Sequence, residues 1–63
     1  MDELEKWFQD VKGSILIDKE NQVLYTLCDL RVINGSLYFG ILPSDGPVKY
    51  VNETRYDELH MVS

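Results

Sequence analysis

The pair Asn34-Gly35, set between the β-rich runs Leu30-Arg31-Val32-Ile33 and Ser36-Leu37-Tyr38-Phe39, constrains this chain more than any other feature. A two-residue type I′ turn needs positive φ at both central positions, which Asn and Gly tolerate, so the pair predicts a tight hairpin in one register. Ile33 then lies opposite Ser36, Val32 opposite Leu37, Arg31 opposite Tyr38 and Leu30 opposite Phe39. Side chains alternate along strands, so Leu24, Cys28, Leu30 and Val32 are expected to share a face with Leu37, Phe39 and Ile41. Tyr25, Leu27, Asp29 and Arg31 are expected on the opposite face with Tyr38, Gly40 and Leu42. The first face is the more apolar and is read as the core.

Upstream, Leu4, Trp7, Phe8 and Val11 recur at the spacing of an amphipathic helix, with Asp2 placed as its N-cap and Lys12-Gly13 as its stop. A helix so short is marginal in water and must dock its apolar stripe. From Ser14 the chain becomes rich in β-branched and aromatic residues. Strands are expected over 14–17, 22–33, 36–42 and 48–52, followed by a helical turn over 54–59 and a closing strand over 60–62. The second strand exceeds the usual length, which predicts a bend or bulge around Leu27 to Asp29. Two prolines and a glycine in Pro43-Ser44-Asp45-Gly46-Pro47 predict a loop outside the ladder.

The 63 residues allow one small domain with one modest core, and the 44% hydrophobic content is too high for a disordered chain. A single cysteine, Cys28, leaves no internal disulfide to form. With no apolar run able to cross a bilayer and no leader pattern, the chain is read as cytoplasmic, with no membrane partner. Asn52-Glu53-Thr54 matches a glycosylation pattern that has no meaning in that setting and is read as accidental. Eleven acidic against six basic residues give a net charge of −5, which disfavours nucleic acid as a partner because no basic patch is present.

Val48-Lys49-Tyr50-Val51-Asn52 followed by Tyr56-Asp57-Glu58-Leu59-His60-Met61-Val62 resembles the end of the SH3-like small barrels, where one helical turn precedes a short closing strand. The likeness runs from about Gly13 to Val62 and is one of strand lengths and turns. It implies an α+β fold, a short N-terminal helix followed by a five-stranded antiparallel SH3-like barrel or strongly bent sheet. No binding residues are carried over, because the acidic and aromatic signature by which SH3 domains hold proline-rich peptides is not matched. Sm-like barrels also begin with a helix, but their basic, Asn/Gly-rich RNA-holding loops have no counterpart here.

No catalytic constellation emerges. Cys28 and His60 are the only Cys and His, and no spacing brings them together with an orienting Asp29 or Asp57. One N and one S ligand do not make a transition-metal site, and Asp57-Glu58 reads as the solvated side of a helical turn. Neither Gly13-Ser14 nor Gly35-Ser36 belongs to a phosphate-binding pattern. The chain is therefore read as a non-enzymatic module without cofactor or metal, which docks on a larger protein and is suited to a bacterial or phage accessory role. Tyr25, Arg31 and Tyr38, with Arg31 expected over the Tyr38 ring, are the candidate partner-binding residues, joined by Trp7 and Phe8 of the helix. The competing reading of that face is that Trp7 and Phe8 cover it. The alternative function is an acidic inhibitor of a nucleic-acid enzyme, its surface built from Asp2, Glu3, Glu5, Asp10, Asp18, Glu20, Asp57 and Glu58. Open strand edges and the helix stripe also make a homodimer compatible with the sequence.

Overall fold

The computed structural model describes residues 3–62. Its elements are α1 (Glu3–Val11), β1 (Ile15–Asp18), β2 (Val23–Ile33), β3 (Ser36–Pro43), β4 (Lys49–Asn52), α2 (Glu53–Asp57) and β5 (His60–Met61). The strands form one five-stranded antiparallel sheet in the order β4-β3-β2-β1-β5. The fold is α+β. The sheet is open, with β4 and β5 at its two edges, rather than closed into a barrel.

Helix α1 carries its apolar stripe as the spacing predicts, with Glu3 and Glu5 at the positive end of its dipole. It stops at Gly13, whose φ of +90° suits glycine, while the Lys12 N–H still donates to the Phe8 carbonyl at 2.8 Å. The expected N-cap, Asp2, lies outside the described residues. Asn34 and Gly35 take φ values of +52° and +79°, and all four predicted hairpin pairs form. Pro43 closes β3 opposite Tyr25, so it lies in the ladder and not in the following loop as expected. As the last strand residue it loses only one N–H from the edge of the pairing.

The predicted bulge is present, and it overturns the face assignment made below it. Leu27 pairs with Ile41 and Asp29 with Gly40, which leaves Cys28 as the extra residue. An inserted residue shifts the alternation by one. Above the bulge Leu30, Leu37 and Phe39 pack inward as expected; below it Tyr25 and Leu27 turn into the core, 8% and 0% exposed. Leu24, expected in the core, is 47% exposed, and Cys28 is only half-buried, with its thiol donating to the Gly40 carbonyl at 3.4 Å. Val32 is also not core: it faces inward near the hairpin tip, beyond the packed region, and is 64% exposed.

The core is one cluster of Phe8, Leu16, Tyr25, Leu27, Phe39, Ile41 and Leu59, lying between the inner face of the sheet and the two helices. Because burial follows the shifted phase, Leu27→Ala is expected to cost about 2–5 kcal/mol. Leu24→Ala, on the same strand, is expected to stay within about 0.5 kcal/mol. Urea unfolding followed by Trp7 fluorescence measures both; comparable losses would contradict the shift.

Asp18 ends β1 and is almost fully enclosed, its side chain 4% exposed. It accepts hydrogen bonds from Arg55 Nη2 at 2.5 Å, Asn21 Nδ2 at 3.0 Å and the Glu20 backbone N–H at 3.0 Å. Arg55 is aimed by α2, where the Asn52 side chain accepts the Arg55 N–H at 2.9 Å as the N-cap. The Asn-Glu-Thr triplet thus has a structural use as a cap. The Arg55 guanidinium, and after it Asn21, lowers the Asp18 carboxyl from 3.8 to about 2. A carboxyl depressed on folding stabilises the fold above its unfolded value and loses that contribution as pH falls through the folded one. The urea midpoint is therefore expected to drop between 3.8 and about 2. Asp18→Asn should show a smaller drop over that window; an unchanged acid limb would detach Asp18 from it.

Candidate binding face

The side of the sheet away from α1 is built by strand alternation and by the bulge. β1 contributes Ile15 and Ile17, the lower half of β2 contributes Leu24 and Thr26, and β3 contributes Tyr38 and Leu42. Above the bulge this outer face receives Asp29, Arg31 and Ile33, and pairing with β3 brings Tyr50 beside Gly40. Leu24, Leu42, Tyr50 and Ile33 are each 40–47% exposed. An apolar groove of about 320 Å³ runs between Ile15, Leu24, Thr26 and Leu42.

Among the strand residues on this side, only Asp29 and Arg31 carry formal charge. Arg31 Nε donates to Asp29 Oδ2 at 2.9 Å, and the Tyr50 hydroxyl donates to the same oxygen at 2.6 Å. The other carboxylate oxygen accepts the Leu30 backbone N–H at 2.9 Å. Arg31 then lies over the Tyr50 ring, its guanidinium carbon 5.0 Å from the centroid. Tyr50 and then Arg31 hold the Asp29 carboxyl below its ordinary value, while the Asp29 carboxylate raises the Tyr50 phenol above its own. The arrangement exists because position 40 has no side chain. A Cβ on Gly40 would stand 2.6 Å from Asp29 Cβ and 3.1 Å from Tyr50 Cε1.

The sequence-predicted site residues separate. Arg31 and Tyr38 share the outer face as expected, but the cation-π partner of Arg31 is Tyr50, not Tyr38. Tyr25 and Phe8 are core residues, each 8% exposed, and are not available to a partner in this fold. Trp7 is 38% exposed on the inner side, where its ring meets Phe39 edge-on at 6.1 Å and Tyr56 at 6.3 Å. The helix therefore packs on the Phe39 side and leaves the Arg31 and Tyr38 side uncovered. Asp29 was legible as a neighbour of Arg31 by alternation; Tyr50 was not, because no turn signal sets the register of β4. Of the expected acidic surface, Asp18 is withdrawn by burial against Arg55, and Glu58 is paired with Arg55 Nη1 at 3.3 Å. Asp2 lies outside the described residues.

Among the described residues, no group of three or more His, Cys, Asp or Glu is placed to hold a metal ion. No helix there is long and apolar enough to cross a membrane. Comparison with known proteins finds no matching family model, no matching curated protein and no matching solved structure.

Gly40→Ala tests the cluster directly. The added methyl is expected to cost about 1–3 kcal/mol through overpacking. By displacing the Tyr50 hydroxyl it should also move the Asp29 carboxyl up toward its ordinary range, read by carbon NMR titration. A stable variant with Asp29 unmoved would mean the cluster does not depend on the missing side chain.

Proposed function

We propose that this chain is a non-enzymatic protein-binding module that docks on a larger protein through the outer face of its sheet. The observation that carries the reading is a neutral, apolar face on a chain of net charge −5, centred on an arginine already held in place. Arg31 and Tyr50 are residue types that dominate interface energetics, and fixing their geometry beforehand lowers the ordering cost of association. Tyr38, Leu24 and Leu42 extend the surface around them. The strand order, the long bulged second strand and the helical turn before β5 support reading the open sheet as an SH3-like half-barrel. The one free thiol, Cys28, suits a reducing, cytoplasmic setting.

The test is affinity capture with wild type and with an Arg31→Ala, Tyr38→Ala double variant, each shown to be folded by circular dichroism. The variant is expected to lose the captured protein. Because the face is neutral, binding should weaken little between low and high salt, whereas contact through the acidic surface would be steeply screened. Retention of every captured protein by the variant rejects the outer face.

A further inference from the structure

We propose that the upper half of β2, residues 29–33, is a strand-pairing edge that takes a second copy of this chain. The direction of its backbone groups follows from the hairpin. Ile33 and Ser36 close a two-residue turn and so exchange hydrogen bonds, which by alternation makes Arg31 and Asp29 bond to β3 as well. The N–H and C=O groups of Leu30 and Val32 then point to the other side. The Leu30 N–H bears this out, since it is taken by the Asp29 side chain at 2.9 Å and not by β3.

On that other side β2 has no strand neighbour beyond the bulge among the described residues. Pairing with the β1 segment ends at Leu27, whose N–H donates to the Ser14 carbonyl at 3.0 Å and whose carbonyl accepts the Gly13 N–H at 2.8 Å. The tip of this edge is apolar and exposed, with Val32 64% exposed on the inner side and Ile33 46% on the outer.

The remaining edges carry devices that discourage pairing. β4 holds Lys49 and follows Pro47, and β5 is two residues long. The upper β2 edge has neither lysine nor proline. Its one cation, Arg31, is drawn across Gly40 toward Tyr50, away from the open edge.

A second copy fits this edge for two reasons. Antiparallel pairing about a two-fold axis at Arg31 sets Leu30 opposite Val32 of the partner subunit, and the reverse. The Val32 N–H of each copy then meets the Leu30 carbonyl of the other in about two backbone hydrogen bonds, the Leu30 N–H staying with the Asp29 side chain. The charge distribution points the same way. Exposed acids lie on α1, in the turn after β1, in the 44–46 loop and on α2, whereas residues 29–33 hold one Asp and one Arg already paired. Pairing there keeps the exposed acids of two chains of net charge −5 apart, and Arg31, which faces Arg31 of the partner subunit across the axis, is neutralised in each copy by its own Asp29.

So short a strand contact buries little area, and the expected dimer is weak and concentration-dependent. Sedimentation velocity from about 10 μM to about 1 mM should show reversible dimerisation, with the dissociation constant raised at least about tenfold by Val32→Lys. That substitution is on the exposed strand end and leaves the fold and the Tyr38 face intact, so its effect is separable from loss of a larger partner. In a Cys28→Ser background, Arg31→Cys should form a disulfide-linked dimer on oxidation and Thr54→Cys should not. A monomer at all concentrations overturns the proposal and leaves the edge to another protein's strand or to solvent. A dimer that Val32→Lys leaves unchanged overturns it too.

Discussion

One extra residue in one strand governs this fold. Cys28 has no opposite number in β3, and the shift it introduces puts Tyr25 and Leu27 on the same side as Leu30, Leu37 and Phe39. Without it, β2 would present Leu24 and Thr26 to the helices and turn Leu27 to solvent. A bulge also increases local twist and bends its strand, which lets β2 pair with β1 along its lower half and with β3 along nearly its whole length. The core of a chain this small depends on that geometry, since a flat sheet could not wrap the same few side chains around Phe8 and Leu59.

The bulge also decides what lies outside. It sets Asp29 opposite a residue without a side chain, and the space over Gly40 is where Asp29, Arg31 and Tyr50 meet. This cluster neutralises the two charges of the outer face in place. The second ionic contact, Asp18 with Arg55, acts elsewhere and fastens the end of β1 to α2, which holds the last strand and Leu59 against the core. Both carboxylates are well supplied with donors, which is why burial does not push either toward its neutral form.

These two arrangements separate the surfaces. The helical side is acidic and aromatic, with Trp7 and Tyr56 packed on Phe39, while the outer side is neutral, apolar and centred on a fixed arginine. The proposed docking surface uses side chains of the outer face and the proposed pairing edge uses the backbone of Leu30 and Val32, so the two proposals draw on different groups of β2.

Much of this was written locally. Asn34-Gly35 by itself determined the hairpin and its four pairs, the i, i+3, i+4, i+7 stripe determined α1, and the length of the second strand placed the bulge, because each depends on backbone conformation within a few residues. Which residues fell on which side of the bulge was decided only by the tertiary structure, since one unpaired residue inverts every assignment below it and local pattern does not say which residue is skipped. Tyr25 is core for that reason, although simple alternation from the hairpin puts it outside. Tyr50 as the partner of Arg31, and Arg55 as the partner of Asp18, join positions far apart in the chain whose meeting rests on the register of β4 and the placement of α2. No short-range preference encodes such a meeting; it follows only after hydrophobic burial has fixed where the strands lie.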